Sequence, residues 1–213
     1  MNGPKTKLLL TISLLAFAGV ASAQQSGFYG GISLGQAKAN SSTGAFDNAL
    51  TASGSISGLS STLDNKDEGF KLRLGYQLSE IMAVEGGYVD FGKAKYSGTY
   101  TVPGAGSANG QMETRGVNFD LLRRLPINRD FSVFAKGGLL LSREESKVSS
   151  ADGTVATSNT ATTLRPGLGL GAEYALSKSV GLRAEWERYY NVGNSSTGKG
   201  DVDLLSAGVN LRF

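Results

Sequence analysis

The chain of 213 residues has no cysteine, no histidine and only four prolines, and its 21 basic and 18 acidic side chains leave a net charge of just +3. Without cysteine there are no disulfides, thiolate metal sites or thiol nucleophiles. Without histidine the commonest general base and the commonest metal ligand are missing together. A Ser–Lys arrangement stays compatible with the many serines, but no spacing singles one out. The expectation is a protein that is not an enzyme and carries no cofactor or metal. So small a net charge, with no basic run, argues against a nucleic-acid partner. Scarce proline beside 30 glycines indicates turns and close packing without collagen-like character.

Long apolar runs are nearly absent as well. Leu8 to Val20 is an apolar run of 13 residues, short of the roughly 20 that a spanning helix needs. Lys5 and Lys7 precede it and Ala21-Ser22-Ala23 follows, the pattern of a secretory signal peptide with a small-residue cleavage site. An uncleaved anchor is the alternative. The expected organisation is a signal peptide over 1–23 and one exported domain over 24–213.

What the remainder does have is alternation. Phe70, Leu72, Leu74, Tyr76 and Leu78 interleave with Lys71, Arg73, Gly75 and Gln77, and Leu205, Ala207, Val209, Leu211 and Phe213 with Ser206, Gly208, Asn210 and Arg212. A period of two marks strands with unlike faces. Eight such segments are expected, over 27–39, 67–78, 81–92, 114–125, 131–143, 163–176, 180–190 and 201–213. Tight turns at Ser79-Glu80, Pro126 to Asp130 and Ser177-Lys178-Ser179 alternate with longer Ser/Thr/Gly/Asn-rich connections over 40–66, 93–113, 144–162 and 191–200. Short turns at one end and long loops at the other describe an up-and-down meander like that of outer-membrane barrels.

Alternation by itself does not say which face is inside. A secreted lipocalin-like barrel would turn Leu and Val inward. Three features favour the inverse. Glycines gather on the polar face, as at Gly167, Gly169 and Gly171, which suits a crowded lumen. Two aromatic belts are expected, Phe28, Tyr29, Tyr76, Phe131, Tyr174 and Phe213 at the turn end and Tyr88, Phe91, Trp186, Tyr189 and Tyr190 towards the loops, as bilayer interfaces select. The chain also stops within a strand, on Phe213. The fold class read from this is all-β, an eight-stranded antiparallel up-and-down transmembrane β-barrel.

Hairpin register then predicts the lumen contacts. Turns centred on Asn128, Lys178 and Ser79 pair Asp120 with Lys136, Glu173 with Arg183 and Arg73 with Glu85. Slipping by one residue would turn those charges into lipid, at a cost of roughly 2–4 kcal/mol for an Arg or Lys at the midplane. The third hairpin sets Glu185, Glu187 and Tyr189 opposite Gly171, Gly169 and Gly167, bulk against absence, in a bore only just wide enough for its own side chains. The expected lumen is a packed polar network without an open aqueous channel, and whether its ion pairs merely plug the barrel or switch to admit ions stays open.

Several segments resemble the membrane domain of outer membrane protein A: Gly75-Tyr76-Gln77-Leu78 with Ala83 to Gly92, Gly169 to Leu176 continuing through Val180 to Trp186, and the ending Gly208 to Phe213. The resemblance implies an internal salt-bridge network gating a narrow ion path, with Glu85, Glu173 and Arg183 at matching positions. The family's lysine partner aligns with Leu122, which puts the switch in doubt and leaves Lys136 as a replacement partner. It further implies that Val209, Leu211 and Phe213 form the signal read by the barrel-assembly machinery. That family carries a peptidoglycan-binding domain after its barrel; none is expected here, so cell-wall tethering is not carried over.

The candidate site is thus a lumen ion-pair network of Arg73, Glu85, Asp120, Lys136, Glu173, Arg183 and Glu185. The expected function is a structural or narrow ion-conducting, porin-like role in the bacterial outer membrane, among its lipids and lipopolysaccharide, as a monomer. The alternative is a surface adhesin binding host or surface ligands through the four long loops, with Phe46, Tyr96 and Tyr100 as anchors. Two patterns carry less. Gly167 to Gly171 echoes a dinucleotide loop but leads into no helix, and Asp64, Asp67 and Glu68 read as a solvated cluster rather than a calcium site.

Overall fold

The computed structural model describes residues 27–52 and 54–213, so the expected signal peptide over 1–23 lies outside the described residues. The elements are β1 (Phe28–Asn40), α1 (Gly44–Thr51), β2 (Ser60–Asp64), β3 (Lys66–Ser79), β4 (Met82–Tyr100), β5 (Gly106–Pro126), β6 (Phe131–Ser150), β7 (Ala156–Ala175), β8 (Val180–Val192) and β9 (Gly200–Arg212). β1 and β3 through β9 pair antiparallel, each with the next, and β9 pairs back with β1 from Tyr29↔Arg212 to Asn40↔Asp201. The eight-stranded up-and-down barrel expected from the alternation is therefore present and closed. β2 stands outside the ring, paired with the distal part of β4 from Ser60↔Thr99 to Asp64↔Lys95.

The faces are inverted relative to a water-soluble barrel. Leu72, Leu170 and Val209 point outward, and Phe119 is 69% exposed. Arg73, Glu173 and Arg183 are buried within. A lipocalin-like arrangement is overturned. Among the described residues no helix is long and apolar enough to cross a membrane; the strands cross instead, since closure pairs the wall's backbone groups without water.

The aromatic belts are only partly as expected. Phe28, Tyr76, Tyr174 and Phe213 at the turn end, and Tyr88 and Trp186 nearer the other, face outward. Tyr29, Phe91 and Tyr189 are buried inside the barrel. Each sits on the inward parity of its strand, so proximity to a strand end is a weaker guide than parity.

The long connections are the larger correction. The expected loops 93–113 and 144–162 are mostly strand: only 101–105 separates β4 from β5 and 151–155 separates β6 from β7. Two physical causes hid this. A β-bulge between Asp90 and Lys93, with Gly92 at φ +70°, adds one residue to β4, and another bulge lies between Tyr189 and Val192 with Asn191 at φ +53°. Each bulge shifts inward parity by one residue, from Val89 and Phe91 to Ala94 and Tyr96 in β4. In β5 and β6 the backbone alternation continues while the chemistry reverses. Outward Val117 and Leu141 give way to inward Met112 and Val148.

The distal strands thus enclose a second, water-type core. Phe46 and Leu50 of α1 pack with Ile56, Tyr96, Tyr100 and Met112, and Phe46 stacks on Tyr96 with centroids 4.8 Å apart. A helix of eight residues is marginal alone. Asp47 ties it down by accepting hydrogen bonds from Tyr96 Oη at 2.6 Å, Thr43 Oγ1 at 2.6 Å and Ser61 Oγ at 3.2 Å. At the β6–β7 tip, bonds from Ser150 Oγ and Thr154 hold the Asp152 carboxyl down at about 2.

Two of the three turn registers differ from expectation by two residues. Asp120 faces Gly138 and Leu122 faces Lys136, while Arg73 faces Gly87 and Glu85 faces Gly75. Each pairing is centred one residue later; the first turn closes on Glu80-Ile81 between Ser79 and Met82, and the bulge between Gln77 and Ser79 takes up the odd residue. A shift of two keeps every charge on its predicted face. The third hairpin has the expected register, including Glu173↔Arg183 and Glu185↔Gly171. A Cβ added at Gly171 would meet Phe134 Cζ at 2.3 Å, and one at Gly167 would meet Tyr189 Cδ1 at 2.5 Å.

If the distal core is a packed unit separate from the membrane wall, Phe46→Ala will expose β4–β7 tips to protease cleavage near 101–105 and 151–155, with roughly 3–5 kcal/mol lost locally. The gel-mobility shift on heating will stay close to that of the unaltered barrel. Uncleaved tips would contradict the two-core description.

Candidate functional site

Inward parity places side chains from all eight barrel strands in one bore, and its contents are layered. Towards the tight turns lies an apolar layer of Tyr29, Ala83, Leu122 and Phe134. Towards the distal end lies another, including Val89, Phe91, Leu140, Tyr189 and Leu204. The lumen is therefore not polar throughout, as the alternation led one to expect. Apolar inward residues at strand positions flanking the charges make two seals.

Between the seals sit four cations, Lys71, Arg73, Lys136 and Arg183, and four carboxylates, Glu85, Asp120, Glu185 and Glu187, all buried. Arg183 donates to both oxygens of Glu85, Nη1 at 2.6 Å and Nη2 at 3.0 Å, and also to Glu185 Oε2 from Nη2 at 2.8 Å. Its guanidinium carbon lies 4.1 Å from the centre of the Phe134 ring. Arg73 Nη1 donates to Glu185 Oε1 at 3.0 Å and Ser33 Oγ at 3.0 Å, and its Nε and Nη2 bond Asn210 Oδ1. Lys136 Nζ stands 2.9 Å from Glu185 Oε2, 2.7 Å from Glu187 Oε1 and 3.5 Å from Asp120 Oδ2. Lys71 Nζ stands 2.6 Å from Glu187 Oε1 and 3.4 Å from Glu185 Oε1. Glu185 thus contacts all four cations.

The seals are hydrogen-bonded to this layer. Tyr29 Oη donates to Glu85 Oε1 and Tyr189 Oη to Glu187 Oε1, each at 2.7 Å. Both tyrosines turn an apolar ring into the seal and a hydroxyl towards the charges.

Of the seven residues singled out from sequence, six share this cluster: Arg73, Glu85, Asp120, Lys136, Arg183 and Glu185. Glu173 lies apart, nearer the tight turns, bound to Arg212 and, at 3.3 Å each, to Arg124 Nη2 and Asn210 Nδ2. Register puts it opposite Arg183, yet Arg183 pairs elsewhere. In an eight-stranded bore the far wall is within reach of an arginine, so partners are chosen across the lumen as much as along a hairpin. The same geometry turns Arg73 from Glu85 to Glu185. Lys71 and Glu187 were not on the candidate list, although each lies two residues from a listed charge; the period of two was the available signal. Asn210, Ser33 and Tyr29 carried none beyond inward parity.

Val209, Leu211 and Phe213 point outward from the β9 end. Asp64 and Asp67 bond backbone instead of converging: Asp67 Oδ2 accepts from Lys93 N at 2.7 Å and Asp64 Oδ1 from Lys66 N at 3.4 Å.

Buried charges at this density hold only as a set, because removing one partner strands another. Glu185→Gln will therefore lower stability in urea titrations of the vesicle-inserted barrel by roughly 3–5 kcal/mol. Asp203→Asn, which breaks the rim pair of Arg188 Nε and Asp203 Oδ1 at 2.7 Å, will cost about 1 kcal/mol or less. Equal losses would argue against a coupled cluster.

Comparison with known proteins agrees with this architecture. The family model for the OmpA-like transmembrane domain matches residues 23–213. Outer membrane protein A of Serratia marcescens is 29% identical over 214 residues, covering 98% of this chain and 56% of that protein. Its counterpart in Yersinia pseudotuberculosis is 29% identical over 213 residues, covering 98% and 55%. The chain spans just over half the length of these relatives. Neisserial surface protein A, a solved structure, has the same fold at TM-score 0.51 and 19% identity, covering 89% of this chain and 100% of that one. An inverted, closed wall and a family match running almost end to end agree: this chain belongs to the OmpA-like transmembrane domain family and is an outer-membrane β-barrel.

Proposed function

We propose that the barrel has a structural role in the outer membrane with a narrow, weakly conducting lumen, controlled by the charged layer between its two seals. The observation that supports this is partner sharing. Arg183 spans Glu85 and Glu185, while Lys136 and Lys71 each span Glu185 and Glu187. A cation with two acceptors in reach keeps a partner whichever it moves towards, and side-chain rearrangement of that kind is what admitting ions past a buried network requires. Leu122 occupies the position at which the family resemblance implies a lysine. In this reading Lys136, its cross-strand partner, supplies the missing cation, and Leu122 thickens the seal. The outward Val209, Leu211 and Phe213 are assigned to recognition by the assembly machinery.

Ions pass a seal of this kind only when it wets. In planar bilayers Leu122→Ser should raise the small single-channel conductance severalfold, and Arg183→Ala should change open-state lifetimes. Conductance untouched by both substitutions would leave a plugged, purely structural barrel.

A second reading, a surface interaction module, draws support from the ordered distal core, which offers a ligand a fixed platform instead of mobile loops. Replacing 41–65, which carries α1 and β2, by a short Gly/Ser linker should then abolish adhesion of expressing cells to matrix-coated surfaces. Unchanged adhesion would remove this reading.

A further inference from the structure

Among the described residues the buried carboxylates are Glu85, Asp120, Glu144, Glu173, Glu185 and Glu187. All but one are in ion-pair contact: Glu85 with Arg183, Asp120 with Lys136, Glu173 with Arg212, and Glu185 and Glu187 with both Lys71 and Lys136. Glu144 is the exception. It is 1% exposed, and neither of its carboxyl oxygens has a hydrogen-bond partner. Arg165, the cation that acts on it, is engaged elsewhere, donating from Nη2 to Gly193 O at 3.1 Å. A bare ionised carboxylate at such a position is heavily penalised by burial.

Its surroundings are rich in hydroxyl oxygen. The inward row of β6 runs from Leu140 of the distal seal through Ser142, Glu144 and Ser146 to Val148 of the second core. Thr114 of β5 lies opposite Glu144, and Thr163 of β7 lies opposite Ser142, their hydroxyls 3.0 Å apart. Thr114, Ser142 and Ser146 are buried, so a polar layer is held between two apolar ones on the distal side of the seal. A cavity of about 10 Å³ is lined by Thr114 and by Asn65, Asp67 and Gly92 at the β4 bulge, room for one small solvent species. We infer that Glu144 and these hydroxyls bind a monovalent cation of sodium or potassium size. One carboxylate balances one positive charge, whereas calcium sites draw on several acidic ligands, and the charge on Arg165 disfavours a divalent ion further. Asp67 beside the cavity favours entry of cations over anions. The bound ion links β5, β6 and β7 beneath the distal core, and it enters from the distal side whether or not the seals conduct.

The test refolds the barrel into phosphatidylcholine vesicles in N-methylglucamine chloride, which is replaced stepwise by sodium or potassium chloride at fixed ionic strength. The readout is the rate of cleavage by a broad-specificity protease near 101–105 and 151–155, and the gel-mobility shift on heating checks that each variant is folded. Sodium or potassium should slow cleavage saturably. Glu144→Gln should fold and lose that dependence, because its neutral amide needs no counter-ion. Thr114→Val keeps the side-chain shape and deletes one ligand oxygen, so the half-saturating concentration should rise roughly fivefold. Glu145→Gln removes the same charge from the outward face, where Glu145 pairs with Lys147, and should leave that concentration within about twofold. Cleavage of the parent indifferent to sodium and potassium, an unchanged dependence in Glu144→Gln, an equal loss in Glu145→Gln, or stronger protection by calcium chloride at the same ionic strength would each overturn the assignment.

Discussion

A peptide backbone in hydrocarbon has no water to bond, and the closure of β9 onto β1 is the solution on which everything else in this molecule rests. Closure at eight strands fixes a bore that side chains alone can fill. That small bore places opposite walls within one arginine's reach, so Arg183 of β8 binds Glu85 of β4 instead of its strand neighbour Glu173. It also demands glycine wherever a large inward residue arrives from the adjacent strand, as at Gly167 and Gly171. The charged cluster is thus a consequence of barrel size as much as of composition.

Polarity reverses once along the long strands. Within the membrane the outward face is apolar and the inward face charged. Beyond the rim, where water surrounds the wall, the apolar residues return inside beneath α1. Two bulges, at Gly92 and Asn191, accommodate that change in β4 and β8 by shifting parity, whereas β5 and β6 keep their parity and exchange residue types. The rim between the two regimes is where exposed charge concentrates, with Arg188 paired to Asp203 and Lys93 to Glu113.

The eight strands were legible because a lipid-facing position has to be apolar and its neighbours do not, a contrast repeated at every second residue. The inward charges were legible by the same parity, which is why errors of two residues in the turns at 79–81 and 127–130 left Arg73, Asp120 and Lys136 on the correct face. Strand ends at 92 and 143 were misplaced because the signal itself changes phase there. A bulge and an environmental reversal both look like the end of a strand when no partner is in view. The burial of Tyr29 and Phe91 was missed because nearness to an end was weighed above parity, whereas register already set Tyr189 in the bore opposite Gly167.

By itself, the order of residues determined the barrel class, the inversion of its faces and which ionisable groups look inward. Those depend on short-range alternation, and the inversion on the glycines that share the polar face with the charges. Only the tertiary structure decided who pairs with whom, that apolar seals bracket the charges, and that the distal strands carry a core of their own. Each of these arises from contacts across the bore or over its mouth, between residues whose separation in the chain holds no record of their distance in space.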